Sequence, residues 1–200
     1  MLRSLFIICA FLNFGKPASL IDKAPTSINT TLMRGGPGAY GAARDGGKKH
    51  AGVDIVANQS SADKSIYAVY AAHDGKIAYA AINGTATSGY GYTIVIDHGD
   101  GNYSQYSHLA IKASAGLAKL GDKVKAGQVI AYLADLSKGE KSSGNVLAEV
   151  VKPYDKIQLH FECFNNKAGI SSSTSLAVFH TGGFLIDPTK DLQGFGYKSF

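Results

Sequence analysis

The chain is expected to fold as an all-β, single domain of antiparallel sheets with long surface loops. Short runs of alternating apolar and polar residues recur along it, separated by Gly-, Asp- and Asn-containing turn signals. Glycine (24 of 200 residues), Tyr (11) and Phe (9) are abundant and Trp is absent, which suits short strands and tight turns better than helices. Only residues 111–120 carry a weak helical pattern, and no internal repeat is present.

Met1-Leu2-Arg3 is a short basic start, residues 4–12 are a compact apolar run, and Gly15, Pro17, Ala18 and Ser19 follow. Residues 1–19 therefore read as a signal peptide with cleavage near Ala18 to Leu20, too short to span a bilayer. No later stretch looks transmembrane, so a secreted or periplasmic protein without a membrane span is expected. Residues 20–32 are polar and unpatterned and read as a linker. Residues 33–49 are too rich in Gly for a helix.

Strands are expected at 65–71 and, after the Asp74-Gly75 turn signal, at 75–82. Residues 92–97 form another, 98–102 a turn that includes His98, and 103–109 a strand returning antiparallel. Residues 123–133 hold a Gly turn between apolar residues, and 156–164 close the series with clean alternation. Ile94, Ile96, Val129, Leu159 and Phe161 are the expected core. Residues 134–155 and 165–183 read as long loops able to rim a cleft. The domain is placed at 33–192, with 193–200 as a tail.

The formal charge of +5 and pI of about 9.1 suit an anionic surface such as a cell wall. Neither an aromatic-basic RNA motif nor a recognition helix is present, so no nucleic-acid partner is expected. The only cysteines are Cys9 and Cys163. With the leader removed Cys163 stands alone, which excludes a disulfide framework and a zinc-finger-type site.

Three separated phrases carry the candidate chemistry: His50-Ala51-Gly52-Val53-Asp54, Tyr106-Ser107-His108-Leu109 and Gln158-Leu159-His160-Phe161-Glu162. They offer imidazoles and carboxylates of the kind a catalytic zinc takes, three protein ligands with one position left open. On a straight strand His50 and Asp54 would stand roughly 13 Å apart, too far for donors about 2 Å from one metal. The segment must bend, and Gly52 is where it can. Alternation puts Gln158, His160 and Glu162 on one face of their strand and Leu159, Phe161 and Cys163 on the other. The same rule puts Tyr106 and His108 on one face. His73 and His98 read as turn residues, and His180 as a loop residue.

Taken in order, these phrases resemble the lysostaphin-type zinc metalloendopeptidases that cut peptide cross-links in bacterial peptidoglycan. The likeness runs from about Met33 to Leu192. It includes Gly41-Ala42-Ala43-Arg44, Ala72-His73-Asp74-Gly75-Lys76-Ile77, Gly89-Tyr90-Gly91-Tyr92, Val124-Lys125-Ala126-Gly127-Gln128 and Ile186-Asp187-Pro188. The resemblance implies a zinc-containing groove with His50, Asp54 and His160 as ligands. It implies His108 as a catalytic imidazole. The family's second such histidine is replaced here by Gln158, which can donate a hydrogen bond but cannot exchange a proton near neutral pH. The implied function is hydrolysis of peptidoglycan peptides by a monomer. The alternative is a catalytically degenerate member that binds wall peptides or a partner protein. A secreted signalling protein on the same fold is the third class, and it lacks its cysteine framework here. The segment 136–155 is longer than the family's usual turn.

Expressed in a bacterial host with its first 20 residues, the protein is expected outside the cytoplasm with a processed N-terminus. Intact-mass measurement of the exported protein reads this directly, since retention of Met1 would mean an uncleaved segment.

Overall fold

A computed structural model describes residues 20–59, 61–84, 89–135, 157–167, 175–180 and 183–200. The expectations for the leader, and for most of the loops 134–155 and 165–183, lie outside them. The described strands are β1 (Thr31–Met33), β2 (Val53–Ala57), β3 (Ala68–Tyr70), β4 (Gly75–Asn83), β5 (Gly91–Gly99), β6 (Asn102–Leu109), β7 (Lys123–Val124), β8 (Val129–Tyr132), β9 (Gln158–Asn165) and β10 (Phe184–Ile186). Three helices of one to two turns complete them: α1 (Ile111–Ser114), α2 (Ala177–His180) and α3 (Thr189–Gly194).

The fold is all-β and antiparallel. The large sheet runs β1-β2-β9-β6-β5-β4-β7, with β10 sharing the edge of β9 that β2 occupies. β3 and β8 pair as a second, small sheet. The β5–β6 hairpin turns through Asp100-Gly101, both with positive φ (52° and 74°), as a type I′ two-residue turn requires. The strand β5 extends through His98, which is thus a strand residue and not part of the turn. Its ring nitrogens meet the Asp74 carbonyl and Ser104 Oγ, both at 2.8 Å.

The core lies between the large sheet and the β3–β8 pair. Ile94, Ile96, Leu159 and Phe161 are fully buried in it, as their alternation requires, with Ile77, Tyr106, Val69 and Ile130 around them. Val129 is only half-buried. A register irregularity between Val69 and Tyr70, opposite it, leaves Ile130 as the core residue of β8. A second apolar cluster sits on the opposite face of the large sheet, where Phe179 of α2 packs against Tyr79, Tyr103 and Phe164.

Several expectations differ from what is observed. The Gly turn expected within 123–133 is present at Gly127 (φ 81°), but the strands flanking it pair elsewhere: β7 joins β4, and β8 joins β3. The helical pattern at 111–120 yields the single turn α1. The first half of 65–71 is a 3-10 turn, Lys64–Tyr67, before β3. The segment 20–32, expected as a linker, packs on the domain. Ile21 is buried in the core, and β1 pairs with β2. Thr26 Oγ1 lies 2.8 Å from Thr31 Oγ1 and 2.7 Å from the Tyr197 hydroxyl, which also donates to the Thr26 carbonyl. The C-terminal residues are thereby fastened to the same edge. Part of the polar character of 20–32 is the buried hydroxyls of Thr26 and Thr31, which satisfy one another, while Asp22, Lys23 and Asn29 are exposed.

Phe161 is enclosed by Tyr106 and the core aliphatics. Phe161→Ala is expected to destabilise the fold by about 3–5 kcal/mol, read from the shift in urea midpoint at unchanged slope.

Candidate metal centre

The site begins with the pairing of β2 and β9. Their register sets Asp54 opposite His160 on one face, while Val53–Phe161 and Ile55–Leu159 face the core. The chain then leaves β2 backwards over β9. A Cβ at position 52 would come within 2.2 Å of the Phe161 carbonyl oxygen and 2.7 Å of Glu162 Cγ, so only glycine fits. Gly52 serves this close approach, since its φ is not in the left-handed region. Backbone bonds from His50 N to the Ala42 carbonyl (2.8 Å) and from Gly41 N to the His50 carbonyl (2.9 Å) return the chain toward Asp54.

The result brings three donors together. His50 Nε2 and His160 Nδ1 are 2.9 Å apart, His160 Nδ1 and Asp54 Oδ1 3.0 Å, and His50 Nε2 and Asp54 Oδ1 3.2 Å. Three ligands about 2.0–2.1 Å from one tetrahedral zinc stand about 3.3 Å apart, so the triangle needs only slight expansion to hold such an ion. All three residues are buried. Their outer atoms are held as well. His50 Nδ1 donates to the Ala39 carbonyl (2.9 Å) and His160 Nε2 to Glu162 Oε1 (2.6 Å). Arg44 Nη2 stands 3.6 Å from Asp54 Oδ2. Outer partners of this kind fix ring orientation and direct the other nitrogen at a metal.

His108 reaches the same face by a break in alternation. Tyr92 pairs with Leu109 and Ile94 with Tyr106, so Thr93 alone opposes both Ser107 and His108. His108 sits in this bulge with a positive φ of 64°. Regular alternation would have turned it into the core with Tyr106. Instead Tyr106 is buried against Phe161, and the His108 ring lies 6.2 Å from that of His160. The expectation of a shared face for Tyr106 and His108 is corrected by this one extra residue. Gln158, 4% exposed, lies on the site's face, and its Oε1 has no hydrogen-bond partner among the described residues. These residues floor an open cleft of about 440 Å³ that Arg44, Lys48, Lys49, Gly89 and Tyr90 also line.

Three further side chains belong to the site. Glu162, fully buried, supports His160 and stands 3.3 Å from His180 Nε2 through its other oxygen. His180 also meets Gln105 Oε1 at 3.0 Å, and its ring packs on Phe164. The Tyr90 ring lies 5.2 Å from that of His160. Glu162 was legible as a face-mate two residues from His160. His180, which lies in a helix rather than a loop, carried no local signal.

The charges follow from this packing. Burial pushes the Asp54 carboxyl up, but bonds from His160 and His50, with their charge, outweigh it and hold it well below the usual carboxylate range. Burial lowers His160, but bonds to Asp54 and Glu162 with their negative charge prevail, raising it to about 9. Burial, with the charge of His160 and His50, drops His108 to about 4, so it is a neutral imidazole at physiological pH.

Residues 48–171 match the model of Peptidase family M23, well over half of the chain, and the chain belongs to that family. No curated protein matches it significantly. Similar solved structures include a zinc-containing peptidase from Vibrio cholerae (23% identity, TM-score 0.47, covering 72% of this chain and 36% of that one). Another is a mutant catalytic domain of the prophage-encoded M23 protein EnpA from Enterococcus faecalis (22% identity, TM-score 0.46, 83% and 95%). A third is a chain of the SpoIIIAH–SpoIIQ complex (15% identity, TM-score 0.50, 86% and 99%). At 15% identity the chain of the SpoIIIAH–SpoIIQ complex shows a shared fold alone, and this chain spans about a third of the length of the Vibrio peptidase.

The raised His160 value has a signed consequence. Without metal, its protonated form contributes stability that is complete below the ordinary pKa of 6.5 and is lost as pH rises through about 9. A metal needs the deprotonated ring, so its affinity rises over the same window. The melting-temperature gap between zinc-supplemented and chelated protein is therefore expected to widen from pH 6.5 to 9, as thermal unfolding at both pH values will show.

Proposed function

We propose that the protein is a zinc-dependent endopeptidase that cleaves peptide cross-links of bacterial peptidoglycan. The observation that carries this reading is the buried His50–Asp54–His160 triangle at the floor of an open cleft, with the outer ring nitrogens already bonded. Zinc held by these three residues would supply a Lewis acid for a peptide carbonyl and acidify water near it.

The protein's own groups supply the rest. His108, neutral and free of ring hydrogen bonds to described residues, is placed to take a proton from an attacking water or to donate to the developing oxyanion. Gln158 offers an amide that orients substrate but holds no exchangeable proton near neutral pH. Glu162 keeps the His160 ring turned to the metal and, with Asp54, balances the charge gathered there. The reading extends to a protein that acts outside the cytoplasm as a monomer, with a signal peptide at 1–19 ahead of a catalytic domain that takes in 20–32 and the C-terminal residues as well as 33–192. Among the described residues, no helix is long and apolar enough to cross a membrane.

Gln158 favours a second reading, a family member that binds wall peptides or a partner without turnover. One of two acid–base groups is absent, and such groups typically contribute about 10²–10⁴-fold.

Metal analysis is expected to find about one zinc per chain, mostly lost in His160→Ala. Hydrolysis of purified peptidoglycan should be abolished by chelator and by His108→Ala, and kept or modestly raised in Gln158→His. Sedimentation with cell walls without chelator-sensitive hydrolysis would establish the binding reading instead.

A further inference from the structure

The cleft is electrostatically lopsided. On one side stands the segment 41–50, a tight β-hairpin. Ala43 bridges Lys49, Arg44 N donates to the Lys48 carbonyl (2.9 Å), and Gly46 and Gly47 turn the tip with φ of 71° and 73°. It carries Arg44, Lys48 and Lys49 to the cleft, against one acid, Asp45. Lys48 and Lys49 are exposed. No ion pair between described residues engages them, and Arg44 is spent only in part, at 3.6 Å from Asp54. Outside the hairpin and the candidate ligands, the described lining is Ala51, Gly89, Tyr90, His108 and Gln158, with neither a lysine or arginine nor a carboxylate among them. The buried Gln158 Oε1 lacks a partner among the described residues, an acceptor whose isolation costs free energy until an N–H reaches it.

We infer that the cleft selects an anionic peptide, bound with a carboxylate against Lys48, Lys49 and Arg44 and a backbone N–H toward Gln158 Oε1. The proposal rests on the reading of this cleft as the peptide site and deepens it. The two features are independent. The hairpin supplies long-range attraction and orientation, because it carries all the lysine and arginine side chains of the described cleft lining. Gln158 supplies a short-range requirement for a donor. A peptide whose only charge is an amine meets the hairpin with repulsion. A peptide carrying a carboxylate one or two residues from the bond at the ligand triangle is drawn in with that bond in register. Because the lysines are exposed, the preference is a screened one, strong at low salt and weak at high salt.

The test compares two short fluorescent peptides differing only in one side chain, Glu or Gln, on zinc-supplemented full-length protein. Binding is followed by polarisation at low and high salt, and hydrolysis by chromatography. Expected is about tenfold tighter binding of the Glu peptide at 50 mM salt, shrinking to within about twofold at 0.5 M. The double substitution Lys48→Glu, Lys49→Glu should reverse the preference at low salt, with an unchanged circular dichroism spectrum. Gln158→Leu should weaken both peptides alike without altering their ratio. Equal binding of the two peptides by the native protein, or a preference that survives charge reversal, overturns the anionic selection while leaving the peptide-site reading standing. Failure to bind or cleave either peptide overturns that reading and the selection with it.

Discussion

The register of β2 against β9 is the constraint on which the rest depends. Because side chains alternate with a period of two, the pairing of Asp54 with His160 and of Val53 with Phe161 is one decision. Shifting either strand by a residue would send Asp54 or His160 into the core and large apolar side chains into the cleft. The core therefore selects the register, and the register places the candidate ligands. Stability and chemistry are read from opposite faces of the same strand.

What a uniform register cannot supply, two local devices add. Gly52 lets the chain fold back across Phe161 and Glu162 closely enough for His50 to reach Asp54. The bulge at Ser107–His108 turns an imidazole out of the core face and toward the ligands. Behind them Glu162 and His180 fill the second layer, tying α2 to the back of His160. The cleft face is thus polar over the ligands and apolar beyond them, where Phe179 covers Tyr103 and Phe164.

How far the sequence revealed this depends on the range of the interactions involved. The faces of β9 were legible because Gln158 to Cys163 alternates without interruption, and the need for a bend at Gly52 followed from strand length alone. The convergence of His50, Asp54 and His160 was legible through the ordered resemblance, not through spacing. The bulge was not legible: inserting one residue into a pairing leaves no mark on the strand that carries it, since the evidence lies in the partner, at Thr93. The segment 20–32 was misleading because hydroxyls such as Thr26 and Thr31 look solvated until Tyr197, 171 positions from Thr26, is seen to pair with them. Residues 123–133 look like a hairpin locally, yet both strands find better-placed partners in β4 and β3. His180 had no signal because its partners, Glu162 and Gln105, lie on other elements.

The bulge also sets how this site can change over evolutionary time. A side chain aimed by regular alternation can be replaced, or its role handed to a neighbour two positions away, through point substitutions alone. His108 is aimed by an extra residue in the strand, so neither neighbour can inherit its position: Ser107 already fills the place opposite His160 on the same face, its hydroxyl engaged by Thr93 and Gln105, and Leu109 is locked in the core. Moving or erasing that imidazole's place requires a change in chain length within β6. Lineages carrying this fold can vary residue 108 by point substitution among the types that tolerate a positive φ, but the socket itself will be gained or lost only through insertion or deletion, a rarer event that shows as a gap and not as a mismatch.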